Sequence, residues 1–99
     1  MNIFLKSDEF NSWLINLKDR VAKAKIALRI ERASKGNFGD CEPVGEGVYE
    51  MRIHYDPGYR LYFTQRDSII YLLLSGGDKS IQKRDIKRAI AMALTLPKD

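Results

Sequence analysis

The sequence predicts an α+β domain of order β-α-α-β-β-β-α, an antiparallel meander packed against a helical hairpin and a C-terminal helix. Three observations predict it. Apolar residues recur at helical spacing over residues 10–33 and again over 86–94. Between Val48 and Leu74 they alternate as on a half-buried strand or run continuously. The segments separating these stretches are rich in Gly, Pro, Asn and Asp. At 99 residues the chain has room for one domain, spanning 1–99.

Met1 to Lys6 is short and apolar enough for a first strand. Ser7 is a natural N-cap, and Asp8 and Glu9 follow where the helix dipole favours acids. Phe10, Trp13, Leu14 and Leu17 then share one helix face. Asp19 caps a second helix carrying two adjoining apolar stripes, one of Val21, Ala24 and Leu28, the other of Ile26, Ile30 and Ala33. Gly36 is a fitting terminator. The turn between the helices is so short that they are expected to pack as a hairpin. Residues 36–40 and 43–47 read as turns. Val48–Tyr55 and Tyr59–Gln65 read as strands around the tight turn Asp56-Pro57-Gly58. After a polar turn, Ile69–Leu74 is apolar on both faces, which predicts a central strand. Gly76-Gly77 ends it. Ser80 is the expected cap of a last helix with Ile86, Ala89, Ile90, Ala93 and Leu94 facing the core, and Pro97 follows.

A hydrophobic fraction of 44% excludes a disordered chain. The longest apolar run, Ile69–Leu74, is far short of a membrane span, and Lys6, Asp8 and Glu9 interrupt any signal-peptide pattern. The single Cys41 cannot form an internal disulfide. A soluble cytoplasmic protein, with no membrane partner, is the expectation. The net charge of +4 is uneven. Residues 18–35 hold seven basic side chains against two acids, and residues 78–88 hold five against two. Such clusters suit a phosphate backbone, although basic helices are often only solvated faces.

Strand alternation supplies a candidate site. Tyr49, Met51 and Ile53 fall on one side of the first meander strand, and Leu61 and Phe63 on the matching side of the second. Turning both sets inward brings Arg52, His54, Arg60 and Tyr62 together on the outward face, where they are placed to grip a phosphate and stack a base. A plain solvated sheet face, with Glu50 simply pairing with Arg52 or Arg60, is the competing interpretation. His54 is the only histidine, and no zinc-ligand spacing surrounds Cys41, so neither a metal nor another cofactor is expected. Asp40 and Glu42 beside Cys41 disfavour a reactive thiolate. Gly76-Gly77-Asp78-Lys79-Ser80 lacks the spacing of a nucleotide-binding phosphate loop.

Residues 36–40, 43–53, 58–63 and 72–80, with Asp85-Ile86, together with Phe10, Trp13-Leu14 and Asp19 in the front helices, resemble the phage-derived addiction-module killer proteins. These are HigB-like members of the RelE/ParE superfamily of type II toxin–antitoxin systems. The resemblance covers nearly the whole chain. It implies a RelE-like microbial RNase fold, a cognate helix-turn-helix antitoxin, and metal-independent endoribonuclease cleavage of mRNA on the ribosome. Oligomers are expected only through the antitoxin complex. Carried over by position, the active-site cations are Arg52, Arg60 and Lys79. Some members have a C-terminal Tyr or His as acid/base, whereas residues 93–99 here contain neither. The acid/base candidates are then His54 and Tyr62. Tyr62, Lys83, Arg84 and Lys87 are the expected RNA-binding residues. Two alternatives stand beside the RNase: a gyrase-inhibiting ParE-like toxin and a non-catalytic RNA-binding module.

Overall fold

The computed structural model describes residues 2–56, 58–76 and 81–96. In chain order it contains β1 (Ile3–Lys6), α1 (Asp8–Asn16), α2 (Arg20–Ser34), β2 (Cys41–Gly45), β3 (Val48–Ile53), β4 (Tyr59–Arg66), β5 (Ile69–Gly76) and α3 (Gln82–Leu94). The protein is α+β, with three helices around a five-stranded mixed sheet of order β1-β5-β4-β3-β2. Strands β2 to β5 form an antiparallel meander, and β1 lies parallel to β5. Among the described residues no helix is long and apolar enough to cross a membrane.

The helix boundaries follow the expected local chemistry. Ser7 Oγ accepts from the Phe10 amide at 2.9 Å, and Asp19 Oδ1 accepts from Val21 and Ala22 at 3.0 and 3.1 Å. The expected Ser80 cap lies outside the described residues; the described N-cap of α3 is Ile81, with no side-chain cap.

One strand departs from the expected order. Residues 43–47, read as a turn, contain the end of β2, so the order is β-α-α-β-β-β-β-α. Pro43 hid it, because proline cannot donate to a ladder. The strand tolerates it by lying at the sheet edge, with a register shift between Pro43 and Gly45. Glu46 and Gly47, at φ of 53° and 77°, form the two-residue turn into β3, a conformation that matches the twist of a hairpin.

The sheet carries a core on each face. On one, α1 lies against β5 and α2 against β3, with Phe10, Ile26, Met51, Leu61 and Phe63 buried between. Phe38 stacks on Phe63 with ring centroids 5.3 Å apart and 8° between planes. On the other, α3 covers Val48, Tyr62, Leu73 and Leu74 with Ala89 and Ala93. The central position of β5 therefore matches its two apolar faces. Two apolar expectations are corrected. Leu94 is 73% exposed rather than in the core. The Val21–Ala24–Leu28 stripe faces outward, because Ala22, Ile26 and Ala33 already fill the space over β3.

Candidate functional site

Pairing of β3 with β4 sets Arg52 opposite Arg60, Glu50 opposite Tyr62, and Met51 opposite Leu61. Arg52, Arg60 and Tyr62 thus share a sheet face, as alternation predicts. That face is not open. Because α3 packs on it, Tyr62 is fully buried, which removes its ring from the surface where it was expected to stack on a base. Its hydroxyl donates to Glu50 Oε2 at 3.0 Å. Burial, followed by the Glu50 charge, raises the phenol pKa far above its ordinary value, so the proton stays on oxygen. A phenol held protonated in this way is a poor general base.

Sequence reasoning places Glu50 only as an acid pairing with Arg52 or Arg60 on a solvated face; both pairs are present, but its burial and central place were missed. Glu50 is 0% exposed, yet it is the hub of the face. Its Oε1 accepts from Arg52 Nε at 3.1 Å, and its Oε2 accepts from Gln82 Nε2 at 2.7 Å as well as from Tyr62. Arg60 Nε lies 3.7 Å from Oε2, and this buried nitrogen makes no hydrogen bond among the described residues. A buried carboxylate is tolerated only when charges and donors surround it, as here. The available signal was its strand position, between Arg52 two residues on and Tyr62 across the hairpin. A glutamate on an apparently solvent-facing side gave no reason to expect burial.

The two arginines differ in how far they are engaged. Arg52 also reaches Asp40 Oδ1 at 3.6 Å and forms an ion pair with Glu42, so three carboxylates surround it. It ties β2 and the preceding loop to β3. Arg60 has Glu50 alone among these acids, and its side chain is 19% exposed. Arg60 is thus the less committed of the two cations, although it is also the more buried, since the Arg52 side chain is 34% exposed. Its register partner in β5 is Gly76, the last residue before the segment that carries Lys79. Lys79 itself lies outside the described residues.

His54 follows the end of β3 and is exposed. Its Nε2 meets Asp40 Oδ2 at 2.5 Å. That hydrogen bond, then the Arg52 charge, holds the Asp40 carboxyl below its ordinary range. His54 borders a depression walled by Lys25, Leu28, Arg29 and Arg32 of α2. It is therefore turned toward the α2 side and does not stand among the groups around Glu50.

The basic clusters divide similarly. Arg29 is an internal anchor: it donates to the Arg52 carbonyl and, through Nη2, to the carbonyls of Phe38 and Asp40 at 3.0 and 3.3 Å. Arg88 pairs with Glu9, joining α3 to α1. Lys83, Arg84 and Lys87 are exposed on α3. The first turn of that helix reaches the site, since Gln82 bonds Glu50 and Asp85 packs against Gly76. Around Arg52 and Arg60 the carboxylates of Asp40, Glu42 and Glu50 leave no cationic surplus.

No protein-family model matches the chain. A protein of Haemophilus influenzae, described as an uncharacterized protein, is 48% identical over 87 residues, which is 88% of each chain. The chain belongs to one family with that protein.

Proposed function

We propose that the protein is the toxin of a type II toxin–antitoxin module, a RelE/ParE-superfamily endoribonuclease that cleaves mRNA on the ribosome and arrests growth. The observation that carries this reading is the direct cross-strand pairing of Arg52 with Arg60, with Gly76 at the end of β5 beside Arg60. The resemblance across the chain points to the same residues. Cleavage of this class needs no group outside the RNA for its nucleophile. The ribose 2′-oxygen loses its proton and bonds to the adjacent phosphorus, the bond to the 5′-oxygen breaks, and that oxygen takes a proton. A cyclic phosphate and a 5′-hydroxyl result. The protein has to orient the strand, stabilise the charge on the pentacoordinate phosphorus and move protons. In this reading Arg60 and Lys79 hold the phosphate oxygens, and Lys83, Arg84 and Lys87 guide the strand. His54, oriented by Asp40, is the remaining acid/base candidate. A helix-turn-helix antitoxin with an acidic contacting segment is the proposed partner, matched to the +4 charge of the chain.

Replacing Arg60 by Ala tests the reading. Loss of one cation directed at the transition state lowers the rate by about 10²-fold or more. Mapping of mRNA 5′ ends after induced expression should show cuts with the parent chain and none with a folded Arg60→Ala protein. Toxicity without any mRNA cut, on or off the ribosome, would refute the RNase reading and favour a gyrase target.

A further inference from the structure

We propose that Glu50 is a positioning residue: its buried carboxylate, held by Arg52, Tyr62 and Gln82, aims the guanidinium of Arg60 at the phosphate of a bound RNA strand. The role rests on the RNase reading above. Glu50 lies on the same sheet face as both arginines, two residues before Arg52 and diagonal to Arg60 across the hairpin. Its Oε1 accepts from Arg52 Nε at 3.1 Å, whereas Arg60 Nε lies 3.7 Å from Oε2, an ion-pair contact without a hydrogen bond. The terminal nitrogens of Arg52 face Asp40 and Glu42; an ion pair at Nε of Arg60 draws the inner edge of its guanidinium toward the carboxylate and leaves its two terminal nitrogens on the far side. For Arg60, partly exposed at the sheet's end, those nitrogens form the fork that matches phosphate oxygens.

The carboxylate is itself fixed from two further sides. Tyr62 donates from beneath, and Gln82 donates from the first turn of α3 at 2.7 Å. The aim of Arg60 is therefore coupled to the docking of α3. For RNA affinity alone a negative charge here is unfavourable, since it opposes the phosphate. Its benefit lies in orientation, which matters most in the transition state.

That opposition separates positioning from a merely structural role. In Glu50→Gln the side-chain shape and an acceptor remain while the charge goes. With 2′-deoxy-substituted, uncleavable RNA, affinity at low salt should equal or exceed that of the parent chain. Cleavage of the all-ribose strand should fall at least about tenfold in kcat, with KM unchanged or lower. Thermal unfolding of each variant keeps folding apart from these effects, and Glu50→Asp, which restores the charge at a shorter reach, should recover part of kcat. Equal kcat in Glu50→Gln overturns the proposal. So does a parallel loss of affinity, kcat and stability, which would mark Glu50 as structural only. If the parent chain cuts no RNA, the RNase reading fails separately. The positioning role is then decided by the Arg60 Nε–H signal in nitrogen-15 spectra: perturbation by bound RNA in the parent but not in Glu50→Gln upholds it, and identical perturbation in both overturns it.

Discussion

At the residue scale, two aspartates with opposite environments give the protein opposed responses to pH. The His54 hydrogen bond, then the Arg52 charge, keeps Asp40 ionised more readily in the folded chain than in the unfolded one. Its stabilisation is present above the ordinary carboxylate range, about pH 4, and is lost as pH falls through the lower folded value. Burial pushes Asp85 the other way. The folded chain holds that proton more readily, so the contribution of Asp85 is present in acid and is lost as pH rises through its folded value. Replacing Asp85 by Asn should raise Tm at pH 7 relative to the parent and give little change near pH 3. Asp40→Asn should lower Tm at pH 7 and converge with the parent in acid. Thermal denaturation from pH 3 to 8 measures both, and a gain at pH 7 for Asp40→Asn would contradict the local assignment. These residues were not legible beforehand. Asp85 entered as an acid in a basic stretch and Asp40 as a neighbour of Cys41, and their places in the resemblance gave no sign of burial or of a bond to His54.

At the element scale, β5 and α3 meet where a side chain has no room. A Cβ built on Gly76 comes within 2.5 Å of Asp85 Oδ2 and 3.4 Å of the Tyr62 ring. Gly76→Ala should therefore displace the first turn of α3 and destabilise the fold by roughly 1–3 kcal/mol, the usual range for overpacking. Urea unfolding monitored at Trp13 would report it, and an unchanged midpoint would mean that α3 shifts without cost. The same junction explains how much of the fold was readable. Caps at Ser7 and Asp19, the β3 and β4 faces and the doubly buried β5 follow from local pattern, because spacing and hydrogen-bond chemistry act within a few residues. Coverage of the second sheet face over β3 and β4 did not follow. Tyr62 is amphipathic, and the residues of α3 that reach the sheet include the small Ala89 and Ala93, so the pattern fits an open face as well as a covered one. The pairing of Arg52 with Arg60 was legible from alternation, whereas the acids around Arg52 come from the loop before β2 (Asp40), from β2 (Glu42) and from β3 (Glu50), and proline concealed the second of these.

For the whole molecule, charge counted along the sequence overstates charge available to a ligand. Arg29 and Arg52 are committed to internal bonds, and Arg88 and Lys35 are paired with Glu9 and Glu31. If Lys83, Arg84 and Lys87 are the phosphate contacts, the log–log dependence of single-strand RNA affinity on salt should have a slope of roughly −2, from about −0.7 per contact. Titrations between 50 and 200 mM salt would give the value. A much steeper slope would bring α2 into the interface, and a flat one would show α3 to be only a solvated face.

The parallel pairing of β1 with β5 bears on when such a chain becomes active. Ile3 pairs with Ile69 and Lys6 with Leu72, and Ser7 Oγ donates to the Leu73 carbonyl at 2.6 Å. The first strand to leave the ribosome therefore waits for almost the last. Contacts this distant in sequence carry the cost of closing a long loop and slow folding. The sheet, and with it the face bearing Arg60, stays incomplete until β5 has been made. A nascent chain arrested at Ser68 should remain sensitive to protease, and one extended past Leu96 and clear of the exit tunnel should resist it. Equal resistance in both would show that β2 to β4 fold without the closing strands. Under the toxin reading proposed above, a delayed onset of this kind gives the antitoxin time to fold first.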